Sequence, residues 1–305
     1  MVAPASRARR AALLVAPLAL LTAPAGAAVL WSLSFDDPAG RLAPHAAGIE
    51  RTLRAAADEW SRVLLADAEI DIRVIADDAV SRAGARFAAS AYTGSTGGFH
   101  VFEPGPAHEI RVGVDPNGPA HDVELFLNPG YVDRELWFDP DPRPLDPDAG
   151  VPMFRTDAYS VMLHELGHAL GFIGWRDPVT GDLPAAPTPY ATPFDALVTR
   201  SGDAFFFTGD AARGLYGGPV PLTAGNLFHL GNPGAGPGTD LLGDLMNGVV
   251  FERGRRYAVS PLNAAILADL GVPADPALIP APGAGVLALA GLLLLTPAPT
   301  RRRRP

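Results

Sequence analysis

Across residues 46–65 apolar side chains recur at helical spacing, at Ile49, Leu53, Trp60, Val63 and Leu64, with acids and arginines on the opposite side. That pattern predicts an amphipathic helix. Residues 69–75 then alternate with period two, the signature of a half-buried strand. Residues 109–114 and 122–127 alternate as well and are read as two further strands, the second closed by Asn128-Pro129-Gly130. A helix is expected from Thr156 or Asp157, either of which can cap it, to Gly171. The chain is rich in Pro and Gly over residues 177–193, and residues 194–228 hold one strand signal, at 204–208. Helical spacing returns over residues 261–270 and stops at Gly271. This order predicts an α+β domain over residues 28–275.

The two ends have a different character. Residues 1–27 carry Arg7, Arg9 and Arg10, a short apolar core and Ala25-Gly26-Ala27, the three parts of a secretory signal, so export is expected. Residues 276–305 run from a Pro-rich linker through an apolar run at 283–295 to Arg301-Arg302-Arg303-Arg304. That run is short for a bilayer span, and its flanks extend it to a marginal one.

Composition narrows the chemistry. The chain has 305 residues and no cysteine, so disulfides and thiolate metal sites are excluded. All 24 basic residues are Arg, and the net charge is −9. Seven of those Arg lie in the two ends, whereas all 33 acids lie between them. The body is therefore strongly acidic and repels nucleic acid. Four acids (Asp139, Asp141, Asp146 and Asp148) punctuate a Pro-rich loop, where carboxylate oxygens offer a structural Ca²⁺ site; a solvated acidic loop is the plainer reading.

The sharpest feature is His164-Glu165-Leu166-Gly167-His168. On a helix this spacing puts both imidazoles on one face, where they can hold Zn²⁺, and Glu165 beside them can serve a metal-activated water as general base. A catalytic zinc needs a third protein ligand and an open position. The other histidines are His45, His100, His108, His121 and His229, and carboxylates such as Asp195 or Glu252 are also eligible.

The extended pattern His164-Glu165-x-x-His168-x-x-Gly171 resembles the metzincin zinc metallopeptidases. Their compact motif has its third ligand three residues after the Gly, where this chain has Gly174. The arrangement is instead similar to leishmanolysin-like members, in which a long insertion precedes the third His. His229 followed by Met246-Asn247-Gly248 fits that form. The resemblance implies a twisted mixed sheet over an active-site helix, and a C-terminal helix in the lower half. It assigns His164, His168 and His229 to the metal, Glu165 to catalysis, Gly171 to the turn and Met246 to the floor beneath the metal. It also implies that strand 122–127 forms the upper rim of the cleft. Tyr257 is a candidate for stabilising the oxyanion. The tail is similar to C-terminal sorting tails of the PEP-CTERM type, although Pro280-Ala281-Pro282 lacks their central Glu; a plain membrane anchor is the other reading.

These expectations describe an exported, monomeric zinc endopeptidase acting on protein or peptide substrates, with membrane contact through its tail. Two rivals share the sequence features: a zinc hydrolase of a non-peptide surface polymer, and a non-catalytic surface protein with a degenerate metal site.

Overall fold

The alternation at residues 69–75 is realised as a strand with Ile70, Ile72 and Val74 buried on one face and Glu69, Asp71 and Arg73 on the other. In the computed structural model residues 28–143 and 150–279 are described, so the expected signal and the apolar, Arg-rich part of the tail lie outside the described residues. In chain order the N-terminal half contains β1 (Val29–Asp36), α1 (Ala46–Val63), β2 (Ala68–Ala76), β3 (Ala83–Phe87), β4 (Ser90–Thr96), β5 (Phe99–Pro104), α2 (Gly105–Val112), β6 (Val123–Leu127), α3 (Pro129–Arg134), β7 (Leu136–Trp137), β8 (Thr156–Asp157) and α4 (Ala158–Leu170). The rest contains β9 (Ala185–Ala186), β10 (Thr188–Ala191), α5 (Pro193–Ala196), β11 (Val198–Ser201), β12 (Ala204–Phe207), α6 (Asp210–Tyr216), β13 (Val220–Thr223), β14 (Asn226–Leu230) and α7 (Pro261–Asp269).

The first sheet has strand order β1-β2-β6-β3, with β1, β2 and β6 parallel and β3 antiparallel at the edge. Its apolar face packs on α1 and α4, while ion pairs such as Arg73–Asp36 and Arg86–Glu124 cross its polar face. The amphipathic α1 buries Ile49, Leu53, Trp60 and Val63, as its spacing requires. Trp60 also donates its indole N–H to the Leu163 carbonyl at 2.9 Å, tying α1 to the middle of α4. An antiparallel sheet, β11-β12-β13-β14, occupies the middle of the stretch between α4 and α7, and another four-stranded sheet joins β4, β5, β10 and β9. The chain is thus mixed α+β. Among the described residues no helix is long and apolar enough to cross a membrane.

One strand expectation is overturned. Residues 109–114 are not extended; they belong largely to α2. Pro106 sits in its first turn and Gly113 ends it at φ +70°, both strong helix boundaries. The alternation was accidental, since Val112 and Val114 are exposed, while the apolar side chains buried in the core, Ala107 and Ile110, are three apart. The strand at 122–127 is present, but β2 and β3 flank it, so it lies inside the sheet. The rim is β3.

Candidate metal centre

Helix α4 is buried along its whole length and starts at Asp157, whose carboxylate accepts from the Ser160 N–H and hydroxyl. Arg256, itself buried, bridges Asp157 and Asp139 at 2.9 Å each. Asp139, one of the acids proposed for calcium, is therefore occupied by a guanidinium, and Asp141 pairs with Arg143. Asp146 and Asp148 lie outside the described residues.

One turn apart on α4, His164 and His168 point their Nε2 atoms at each other across 3.0 Å. The sheet β11–β14 delivers the third imidazole: His229 on β14 sets its Nε2 3.1 Å from that of His164. Nitrogens bound tetrahedrally at about 2.0–2.1 Å from zinc lie roughly 3.3 Å apart, so the observed triangle fits that ion with only a small expansion. The other nitrogens orient the rings. His164 Nδ1 faces the Leu245 carbonyl at 2.8 Å and His168 Nδ1 the Phe172 carbonyl at 2.5 Å. Donation there fixes the tautomer that leaves both Nε2 lone pairs free for a metal. His229 Nδ1 has no partner. Burial lowers the pKa of His164 to about 4 and of His168 to about 3, and that of His229 well below its usual value. All three imidazoles are therefore neutral at pH 7, the form in which they could hold a metal.

Two local features make this convergence possible. Gly171 ends α4 at φ +137°, which turns the chain so that the Phe172 carbonyl returns to His168. Met246 lies fully buried against α4 at Gly167, where an added Cβ would meet its sulfur at 2.7 Å. The segment holding Met246 is fixed beside His229 by Leu230 N–H donating to the Met246 carbonyl at 2.8 Å. Buried Asp244 anchors its start, accepting from Met246 N–H, Ser260 and Asn263 at 2.7–2.8 Å. Ser260 and Asn263 form the capping box of α7, so the C-terminal helix holds the floor of the centre.

The structure brings together His164, Glu165, His168, His229, Gly171 and Met246 and leaves the alternative ligands elsewhere. Asp195 is buried, accepts from Trp175 and Thr192 N–H groups, and fills the space a Cβ at Gly174 would need, with Oδ1 2.6 Å from that point. The compact motif is thus blocked by packing. Glu252 pairs with Arg255. Tyr257 is buried, its hydroxyl accepts from Glu252 N–H, and its ring stacks on Phe251, so it is not presented to the cleft.

Three features were missed from the sequence. Glu165, only 8% exposed, has its pKa raised to about 8 by burial, and the nearby Ala85 N–H of β3 pulls the other way. Tyr131, just after the turn at residues 128–130, lines the same cleft. Phe228 and Phe251 set their rings edge-on to His168 and His164. Only Tyr131 had a signal in the sequence, an aromatic beside a turn. The cleft holds roughly 1080 Å³ and runs between residues 81–85 and 247–253. The chain matches no protein-family model, no curated protein and no solved structure.

Proposed function

We propose that the chain is a zinc-dependent endopeptidase of metzincin type, with the leishmanolysin-like placement of its third ligand. The observation that carries this reading is the convergence of three neutral imidazoles, His164, His168 and His229, next to a buried carboxyl at the bottom of an open cleft. When bound, zinc supplies a Lewis acid for the scissile carbonyl and lowers the pKa of water towards neutrality. Glu165 takes the proton of the attacking water and passes it to the departing amine nitrogen. Burial makes its carboxyl a ready proton carrier, and a neighbouring cation favours its ionised form.

The edge strand β3 favours an extended peptide as substrate. Arg82 and Ala88 are hydrogen-bonded to Asn128 and Asp122 across β6, so by antiparallel alternation Ala83, Ala85 and Phe87 turn their backbone groups to the open side. A peptide laid there pairs by strand addition and passes over Glu165.

The experiment is digestion of a peptide library by the zinc-loaded chain and by Glu165→Gln. Chelator-sensitive cleavage that falls about 10²–10⁴-fold in the Gln variant supports the reading. Equal cleavage by both removes Glu165 from its role, and no cleavage by the loaded wild-type chain overturns the peptidase assignment.

A further inference from the structure

We infer that the chain carries a calcium site beside α2, made by the carboxylates of Glu109, Asp115 and Asp122. One carboxylate oxygen from each acid lies within 4.8 Å of the others. Glu109 comes from α2, Asp115 from the loop that follows, and Asp122 from the entrance to β6. The site is separate from the histidine centre in both residues and donor type.

Unsatisfied oxygens distinguish this cluster from an ordinary acidic surface. Glu109 is 6% exposed and Asp122 3%. Each spends one oxygen on a backbone N–H of β2: Glu109 Oε1 accepts from Glu69 at 2.9 Å and Asp122 Oδ2 from Asp71 at 2.8 Å. Those bonds hold the carboxylates in place and leave Glu109 Oε2 and Asp122 Oδ1 buried with no donor. Asn117 turns its amide nitrogen towards this group, donating to the Ala120 carbonyl at 2.6 Å and hydrogen-bonding the Asp122 side chain. A buried acceptor left unpaired costs about 1–3 kcal/mol, and more when charged, so two such carboxylate oxygens in one cluster call for a common partner.

The surrounding charge indicates what that partner is. The charges acting on Glu109 are those of Asp122, Asp115 and Asp71, and those acting on Asp122 are Asp115 and Asp71, all negative; Asp71 is itself engaged by Ser32. Among the described residues no cation acts on either carboxyl group, and burial raises the pKa of both. A cation that takes oxygen ligands resolves both the orphaned acceptors and the repulsion. Three carboxylates, drawn from a helix, a loop and the entrance to a strand, suit the irregular six-to-eight-fold oxygen shell of Ca²⁺ with water completing it. Mg²⁺ demands a regular octahedron and imidazole-free oxygen donors disfavour zinc.

Bound there, calcium would fasten the loop after α2 to β2 and β6, and β6 carries the edge strand β3 of the cleft. The inference stands apart from the peptidase reading, because its readouts are ion binding and unfolding. Titration of the zinc-loaded full chain with CaCl2 in a calorimeter should show one site beyond zinc. Saturating calcium should raise Tm by at least about 4 °C. Asp115→Asn, at an exposed position where Asn keeps the turn acceptor, should fold normally and bind calcium at least about tenfold more weakly. Asp122→Asn should do so more severely. Absence of a calcium site, wild-type affinity in both variants, or equal affinity for MgCl2 would overturn the assignment.

Discussion

His164 and His229 are 65 residues apart in sequence, yet their Nε2 atoms lie 3.1 Å apart. Nothing between two helices brings them there. The antiparallel strands β11–β14 carry His229 to the edge of the α4 face, and the segment around Met246 holds the His164 ring through the Leu245 carbonyl and the strand of His229 through the backbone bonds of Leu230. The stretch between His168 and His229 is thus a folded element that brings the third imidazole to the other two.

Gly167→Ala tests the packing of Met246 against α4. The new Cβ would fall 2.7 Å from the Met246 sulfur and 3.3 Å from the Trp60 ring. Neither neighbour has room, so denaturant unfolding should show a loss of about 1–3 kcal/mol. Combination with Met246→Ala should recover part of that loss. A neutral Gly167→Ala would show that Met246 does not press on the helix.

Gly171→Ala probes the turn that aims a carbonyl at His168. An L-residue at φ +137° is strained, and its Cβ would meet Leu270 at 3.0 Å. The expected cost is about 1–3 kcal/mol, with weaker zinc retention in a chelator competition. Unchanged zinc retention would detach the Phe172 carbonyl from the orientation of His168.

Asp244→Ala removes the acceptor shared by Met246 N–H, Ser260 and Asn263. Each buried donor left unpaired costs about 1–3 kcal/mol. Release of the Leu245 carbonyl from His164 should also lower zinc affinity about 10–100-fold. Lost stability without lost affinity would confine Asp244 to packing.

The buried Glu165 carboxyl gives stability a pH signature in protein stripped of metal. Its folded pKa of about 8 exceeds the unfolded 4.5. The folded chain therefore keeps a proton that the unfolded chain has lost between those values. This contribution is complete below pH 4.5, declines as pH rises to about 8, and is then absent. Gln has no proton to lose, so urea midpoints at pH 5, 6.5 and 8 should show Glu165→Gln gaining on wild type as pH rises. A gap independent of pH would contradict the burial of this carboxyl.

Much of this was legible in sequence because local pattern sets it. The face of α1, the alternation of β2, the cap at Asp157, the stop at Gly171 and the i, i+4 histidines are all determined within a few residues. Residues 109–114 misled because a short alternating run cannot distinguish a strand from a helix unless the flanking Pro106 and Gly113 are weighed first. The β11–β14 meander was mostly missed because its four- and five-residue strands are too short for a periodic signal. The Ala85 N–H near Glu165 and the orphaned oxygens of Glu109 and Asp122 depend on backbone placement across the sheet, which no side-chain motif records.

The most direct test of the centre is zinc stoichiometry in purified wild type, His229→Ala and Asp195→Asn, measured after dialysis against a weak chelator. Three converging imidazoles predict one zinc per wild-type chain, near-complete loss in His229→Ala, and full retention in Asp195→Asn. A His229→Ala chain that still holds one zinc would contradict the account.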